Sequence, residues 1–109
     1  MRRGEIWTTA GGPDYAGKPR PVVIVQSDAF PLTHSITVCP LTSDPTDAPI
    51  VRPLIEPDTE NGLRLVSRLM VDKITTVPKS KLGHRIGMLG RDDIFRFDQD
   101  VAIFLGLNG

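Results

Sequence analysis

With 109 residues, ten prolines and ten glycines, the chain is one domain in size, and its frequent breaks favour short strands and turns over long helices. No apolar stretch approaches the length of a membrane span, and Met1-Arg2-Arg3 runs into Gly4-Glu5 rather than a signal-peptide core. A soluble, cytoplasmic protein without a membrane partner is therefore expected. The single cysteine, Cys39, excludes an internal disulfide, and with only His34 and His84 beside it offers no metal-ligand spacing.

The formal net charge is zero, but the charge is segregated. Residues 61–91 carry seven cations (Arg64, Arg68, Lys73, Lys79, Lys81, Arg85, Arg91) against one anion, Asp72, a net of +6 that the rest of the chain balances with −6. Such a division predicts one face for a polyanion.

In chain order, Arg3 to Thr8 reads as the first strand, and Ala10 to Lys18 as a Gly- and Pro-rich loop of the kind that lines sites. Next come four consecutive apolar residues, Val22 to Val25, bounded by Pro21 and by Gln26-Ser27-Asp28. A β-rich run of this sort is a strand buried on both faces, placed at about Arg20 to Gln26. Pro19 and Pro21 hold Arg20 extended at its mouth, where a planar, permanently charged guanidinium suits either anion binding or an ordinary solvated strand end.

Ser27 to Ser35 is a polar crossover, and Ile36 to Ser43 is a strand that Pro40 assigns to an edge or a bulge. Cys39, in its apolar run, is expected as a small buried hydrophobe. Thr42 and Ser43 emerge at that strand's end, with hydroxyls for a ligand or for the local turn. After a loop at Asp44 to Pro49, Ile50 to Ile55 is a strand interrupted by Pro53, Glu56 to Gly62 a polar turn, and Leu63 to Leu65 a short strand piece. Val66 to Val77 has strand composition, and a kink near Asp72 would let both halves pair. One helical turn at Pro78 to Leu82 and a strand at Arg85 to Leu89 follow. Arg91 to Leu107 is a helix, with Ile94, Phe97, Val101, Phe104 and Leu105 at helical spacing, Asp92 and Asp93 in its first turn, and Gly106 or Gly109 to end it. The pattern is mainly β with one C-terminal helix.

Four segments carry a resemblance: RGEIW at Arg3 to Trp7, RPVVIVQSD at Arg20 to Asp28, VCPLTS at Val38 to Ser43, and SRLMVDKITTVPKSKL at Ser67 to Leu82, followed by IGMLG and the helix. Together, in this order and over essentially the whole chain, they resemble the MazF/PemK (Kid) family of toxin endoribonucleases. The resemblance implies a compact SH3-like β-barrel shared with CcdB-type toxins, a symmetric homodimer, cleavage of single-stranded RNA without metal or other cofactor, and neutralisation by a cognate antitoxin.

The family's catalytic arginine falls on Arg20 and its catalytic threonine on Thr42. Ser43 and Ser67 fall on positions resembling secondary RNA contacts. Arg68, Asp72 and Lys73, with Tyr15 and Lys18 from the first loop, complete the RNA-binding candidates, because single-stranded bases are read by stacking and edge hydrogen bonds and the backbone by cations. One departure stands out. Relatives that use an arginine two residues before the acidic residue have Met70 there in this sequence, ahead of Asp72, and Arg68 is the candidate to supply the charge. The common Asp/Glu-Gln-Ile is Asp72-Lys73-Ile74 here.

Other readings are a CcdB-like toxin that binds a protein target, a plain RNA-binding barrel, and a nuclease built on His34 and His84. The CcdB mode relies on a Trp near the C-terminus, whereas the only Trp here is Trp7.

Overall fold

The longest strand decides the architecture. The computed structural model describes residues 1–10, 20–45 and 51–107. Within them the chain forms β1 (Glu5–Thr9), β2 (Arg20–Ile24), β3 (Ser35–Thr42), β4 (Leu54–Ile55), β5 (Ser67–Leu69), β6 (Thr75–Pro78), β7 (Leu82–Met88) and α1 (Arg91–Leu105), with short 3-10 turns at Val71–Lys73 and Lys79–Lys81. The strands make one curled antiparallel sheet in the order β4-β5-β3-β2-β1-β7, with β6 also paired to β3. It is a half-barrel with one C-terminal helix, as the sequence predicts.

β3 is the hub rather than an edge, contrary to the expectation drawn from Pro40. On one side it pairs with β2, in the register Val22↔Pro40, Val23↔Cys39 and Ile24↔Val38. On the other, its first half pairs with β6 and its last two residues with β5. The Pro40 carbonyl takes the Met70 amide at 2.9 Å, so its missing N–H faces the same side, at the gap between β6 and β5. A central strand tolerates a proline there because no ladder bond is due at that point. The kink expected near Asp72 is the 3-10 turn at Val71–Lys73, and both halves do pair with β3.

β2 is buried on both faces. Val23 joins Ile6, Cys39, Leu41, Ile55, Leu69, Val71, Leu89 and Phe97 in one apolar cluster. Val22 and Ile24 join Ile36 and Val38 in a second, with Trp7, Val77 and Leu82 packed against it. Cys39 is fully buried, as expected.

α1 closes the first cluster through Phe97, with Ile94 and Val101 alongside. Phe104 and Leu105, expected on the same apolar face, are 46% and 58% exposed. Gly106 ends the helix in the left-handed region at φ 73°, with the Leu107 amide returning to the Ala102 carbonyl.

Two expected strands are shorter or missing. Residues 63–65 are not a strand, because Asn61 Oδ1 takes the Leu63 amide at 2.9 Å and the Asp58 amide at 3.1 Å. Asn61 is itself fully buried, donating to the Glu56 carbonyl. β4 begins only at Leu54; the Pro53 carbonyl instead takes the Leu69 amide.

Candidate functional site

The site is assembled by register. Arg20 opens β2, faces Thr9 on β1, and its carbonyl accepts the Thr9 hydroxyl at 3.3 Å. The β2–β3 register, carried two residues further, sets Arg20 across from Thr42. Thr42 in turn faces Arg68 on β5, and Arg68 faces Leu54 on β4. Directly opposed residues share a face of the sheet, so Thr42 and Arg68 are neighbours on one face, and the extended β2–β3 register brings the start of β2, at Arg20, to the other side of Thr42, a row of positions over three adjacent strands. Residues one position along, Leu41 and Leu69, turn into the core on the other face.

Thr42 is oriented by its own turn. Its Oγ1 accepts the Asp44 amide at 3.1 Å, which ends β3 in a side-chain-capped turn. A hydroxyl that accepts still has its own proton to donate. The two sequence readings of Thr42, turn former and ligand donor, are therefore compatible.

Beside the row lies an ion pair that the sequence reading did not contain. Arg52 forks onto Asp72, with Nε to Oδ1 and Nη2 to Oδ2 both at 3.0 Å. The partner of Asp72 is thus Arg52, a residue separate from Arg68, the candidate for the charge missing at Met70. Arg68 Nη1 instead donates to the Arg52 carbonyl at 3.2 Å. The hydrogen bonds from Arg52 hold the Asp72 carboxyl below the usual aspartate range against the opposing effect of burial, and the Arg52 guanidinium is raised in turn. Asp72 is a fixed anion, poorly suited to donate a proton. No sequence signal pointed to Arg52, which stands 20 residues away beside Pro53, in a segment without periodicity. Beneath the pair, burial pushes the Cys39 thiol up to about 12, with the Asp72 charge adding to it.

A groove of about 860 Å³ runs along the end of the sheet, lined by Arg20, Ser43, Arg64, Ser67 and His84 with apolar Leu41, Leu63 and Ile86. Its 56–62 side depends on Gly62, at φ 68°, where any Cβ would strike the Ile86 carbonyl. Ser43 and Ser67 thus lie with Arg20 along this groove, whose lining does not include Thr42 or Arg68. Ser67 is buried, and its Oγ donates to the Leu65 carbonyl at 2.9 Å, so it braces the groove wall. His84 and Thr8 bond one another there, the His84 amide reaching Thr8 Oγ1 at 3.1 Å.

The cations of residues 61–91 are divided rather than gathered on one face. Arg64 and Arg68 serve the groove and the row. Arg85 faces Glu5 at 3.5 Å, and Lys79 donates to the Pro31 carbonyl in a separate cavity of about 410 Å³. Lys73 is exposed at the end of its 3-10 turn. Tyr15 and Lys18 lie outside the described residues. His34 does not line the groove with His84; its carbonyl holds the Lys79 amide in the turn between β6 and β7. Among the described residues no three His, Cys, Asp or Glu side chains gather as metal ligands, and no helix is long and apolar enough to cross a membrane.

A family model described as PemK-like, MazF-like toxin of type II toxin-antitoxin system matches residues 2–105. A protein of Mycolicibacterium smegmatis named probable endoribonuclease MazF is 52% identical over 109 residues, covering 100% of both chains. Solved structures share the fold. An endoribonuclease in complex with its cognate antitoxin, from a mycobacterial species, superposes with a TM-score of 0.81 at 22% identity, over 98% of this chain and 96% of that one. The Mycobacterium tuberculosis toxin MazF-mt6 follows at 0.76 and 24% identity, over 94% and 96%. A MazE-MazF structure from Deinococcus radiodurans gives 0.75 at 17% identity, over 97% and 96%.

Proposed function

The chain belongs to the PemK-like, MazF-like toxins of type II toxin-antitoxin systems, and from that premise we propose that it is an endoribonuclease which cuts single-stranded RNA at the Arg20–Thr42–Arg68 row. The observation that supports the reading is Thr42 opposite Arg68 on β5, with Arg20 opening the strand on the other side of β3. In the proposed reaction the ribose 2′-oxygen attacks the adjacent phosphorus and loses its proton. The P–O5′ bond breaks and the 5′-oxygen takes up a proton, leaving a 2′,3′-cyclic phosphate and a 5′-hydroxyl.

The intermediate phosphorane is highly charged, and oriented donors placed where that charge develops are the main resource of such a site. Arg20 supplies a charged fork and Thr42 a hydroxyl already fixed by Asp44. Arginine is a poor proton shuttle, since it stays charged; its role here is electrostatic. The reading needs no cofactor. It also includes a homodimer, with the exposed apolar residues Ile103, Phe104 and Leu105 near the contact, a cognate antitoxin that masks the site, and residence in the cytoplasm.

The test is cleavage of a long single-stranded RNA in EDTA by wild type and by Arg20→Ala, with 5′ ends mapped. Discrete cuts bearing 5′-hydroxyls, lost in the variant, support the reading. Cuts that survive Arg20→Ala would keep the nuclease and displace its site. No cuts by a folded wild type would favour a protein target or plain RNA binding.

A further inference from the structure

Arg52 makes two ties at once. Its guanidinium covers both oxygens of Asp72, with the two side chains only 17% and 16% exposed. Its carbonyl accepts Nη1 of Arg68, the residue opposite Thr42. A largely covered carboxylate deprived of its partner is costly, and it recruits any cation within reach. The guanidinium of Arg68 already lies one hydrogen bond from the Arg52 backbone, on a long and flexible side chain. The backbones of β2 and β5 stand two strand spacings apart, roughly 10 Å, on either side of β3, so Arg20 and Arg68 offer two cations to a polyanion crossing the sheet there. Drawing one of them onto Asp72 would leave only the other.

Resting on the reading of the chain as an RNA-cutting toxin, we propose that Arg52 is a positioning residue: it occupies Asp72 so that Arg68 stays opposite Thr42 and holds an RNA backbone phosphate. Arg68 has five N–H donors, of which the Arg52 carbonyl engages Nη1. Asp72 and Arg52 contact no substrate in this scheme. Their service is to remove a competing anion from the reach of Arg68 and to anchor its fork from the backbone side.

The experiment measures kcat and KM for cleavage of a single-stranded RNA, and affinity for the same RNA fully 2′-O-methylated, which binds without being cut. The proteins are wild type, Arg52→Met, Arg52→Lys, Arg52→Met/Asp72→Asn, Arg68→Met and Arg52→Met/Arg68→Met, with melting curves recorded for each. Arg52→Met is expected to raise KM and weaken 2′-O-methyl RNA binding by about tenfold or more, with a smaller change in kcat. Removing the stranded carboxylate in Arg52→Met/Asp72→Asn returns both to within about threefold of wild type, and Arg52→Lys, which still neutralises Asp72, does likewise. Arg68→Met reproduces the loss, and adding Arg52→Met to it costs nothing further.

A double Arg52→Met/Asp72→Asn variant as defective as Arg52→Met would overturn the proposal in favour of a simple structural brace, as would losses that add between Arg52→Met and Arg68→Met. A wild type that binds the RNA but never cuts it sinks the nuclease reading, while the affinities still decide the role of Arg52. A folded wild type that neither binds nor cuts overturns both.

Discussion

Replacing Thr42 by valine removes the hydroxyl that serves both its roles while keeping the side chain's shape, and stability and cleavage rate then report the two roles separately. In the folded chain that hydroxyl accepts the Asp44 amide at 3.1 Å. Asp44 is exposed, so water replaces the lost acceptor and the stability cost is about 0.5–1 kcal/mol. For a chain of this size that lowers Tm by about 2–6 °C. At the phosphorane, loss of one oriented donor costs on the order of 10²–10³ in kcat, about 2.7–4 kcal/mol. The assay is single-turnover cleavage of a short RNA with the enzyme in excess, beside a thermal melt of each variant. Thr42→Val is expected to fold, melt slightly lower and cut at least about a hundredfold more slowly, whereas Thr42→Ser stays near wild type in both. A Thr42→Val enzyme that cuts at the wild-type rate would refute the reasoning and leave Thr42 as a turn former only.

Three other outcomes follow from the packing and the charges. Leu69→Ala empties a fully buried position in the first cluster and should cost roughly 2–5 kcal/mol, read as a lower urea midpoint at constant m. Asp72 has a depressed folded pKa, so the stability it contributes is present above the ordinary aspartate range and is lost as pH falls through its folded value. At pH 7 wild type should therefore exceed Asp72→Asn by roughly 1–3 kcal/mol, between the exposed and buried limits for such pairs, with the gap shrinking as pH falls below the ordinary aspartate range; a gap that stays constant in denaturation at graded pH refutes this. Cys39, fully buried and with its thiol pushed up to about 12, should react with a thiol-specific disulfide reagent at neutral pH only as the protein unfolds, so that labelling tracks the denaturation curve. Rapid labelling of native protein would contradict the packing.

How far the site could be read from the sequence differs from residue to residue. Arg20 and Thr42 stood out because each lies at a strand mouth inside a recognisable segment, and local chemistry, a flanking proline or an emerging hydroxyl, marked the place. Arg52 had no such mark. Its importance comes from a contact with Asp72 across 20 residues of chain, and nothing local encodes a pair that forms only when the segment before β4 and the 71–73 turn meet. Pro40 misled for a related reason. A proline forbids one ladder bond, but whether a bond is due there depends on which strand lies alongside, and here two strands exchange at that point.

By itself the sequence determined the mainly β pattern with one closing helix, the two-faced burial of β2, the break near Asp72 and a glycine stop for the helix, because these follow from side-chain periodicity and from the fixed backbone preferences of proline and glycine. Tertiary structure alone decided that β3 is the hub, that Phe104 and Leu105 face outward, that the cations of residues 61–91 are divided, and that Arg52 neutralises Asp72. Each of these depends on which distant segments become neighbours when the sheet curls, and strand register, not local composition, sets that.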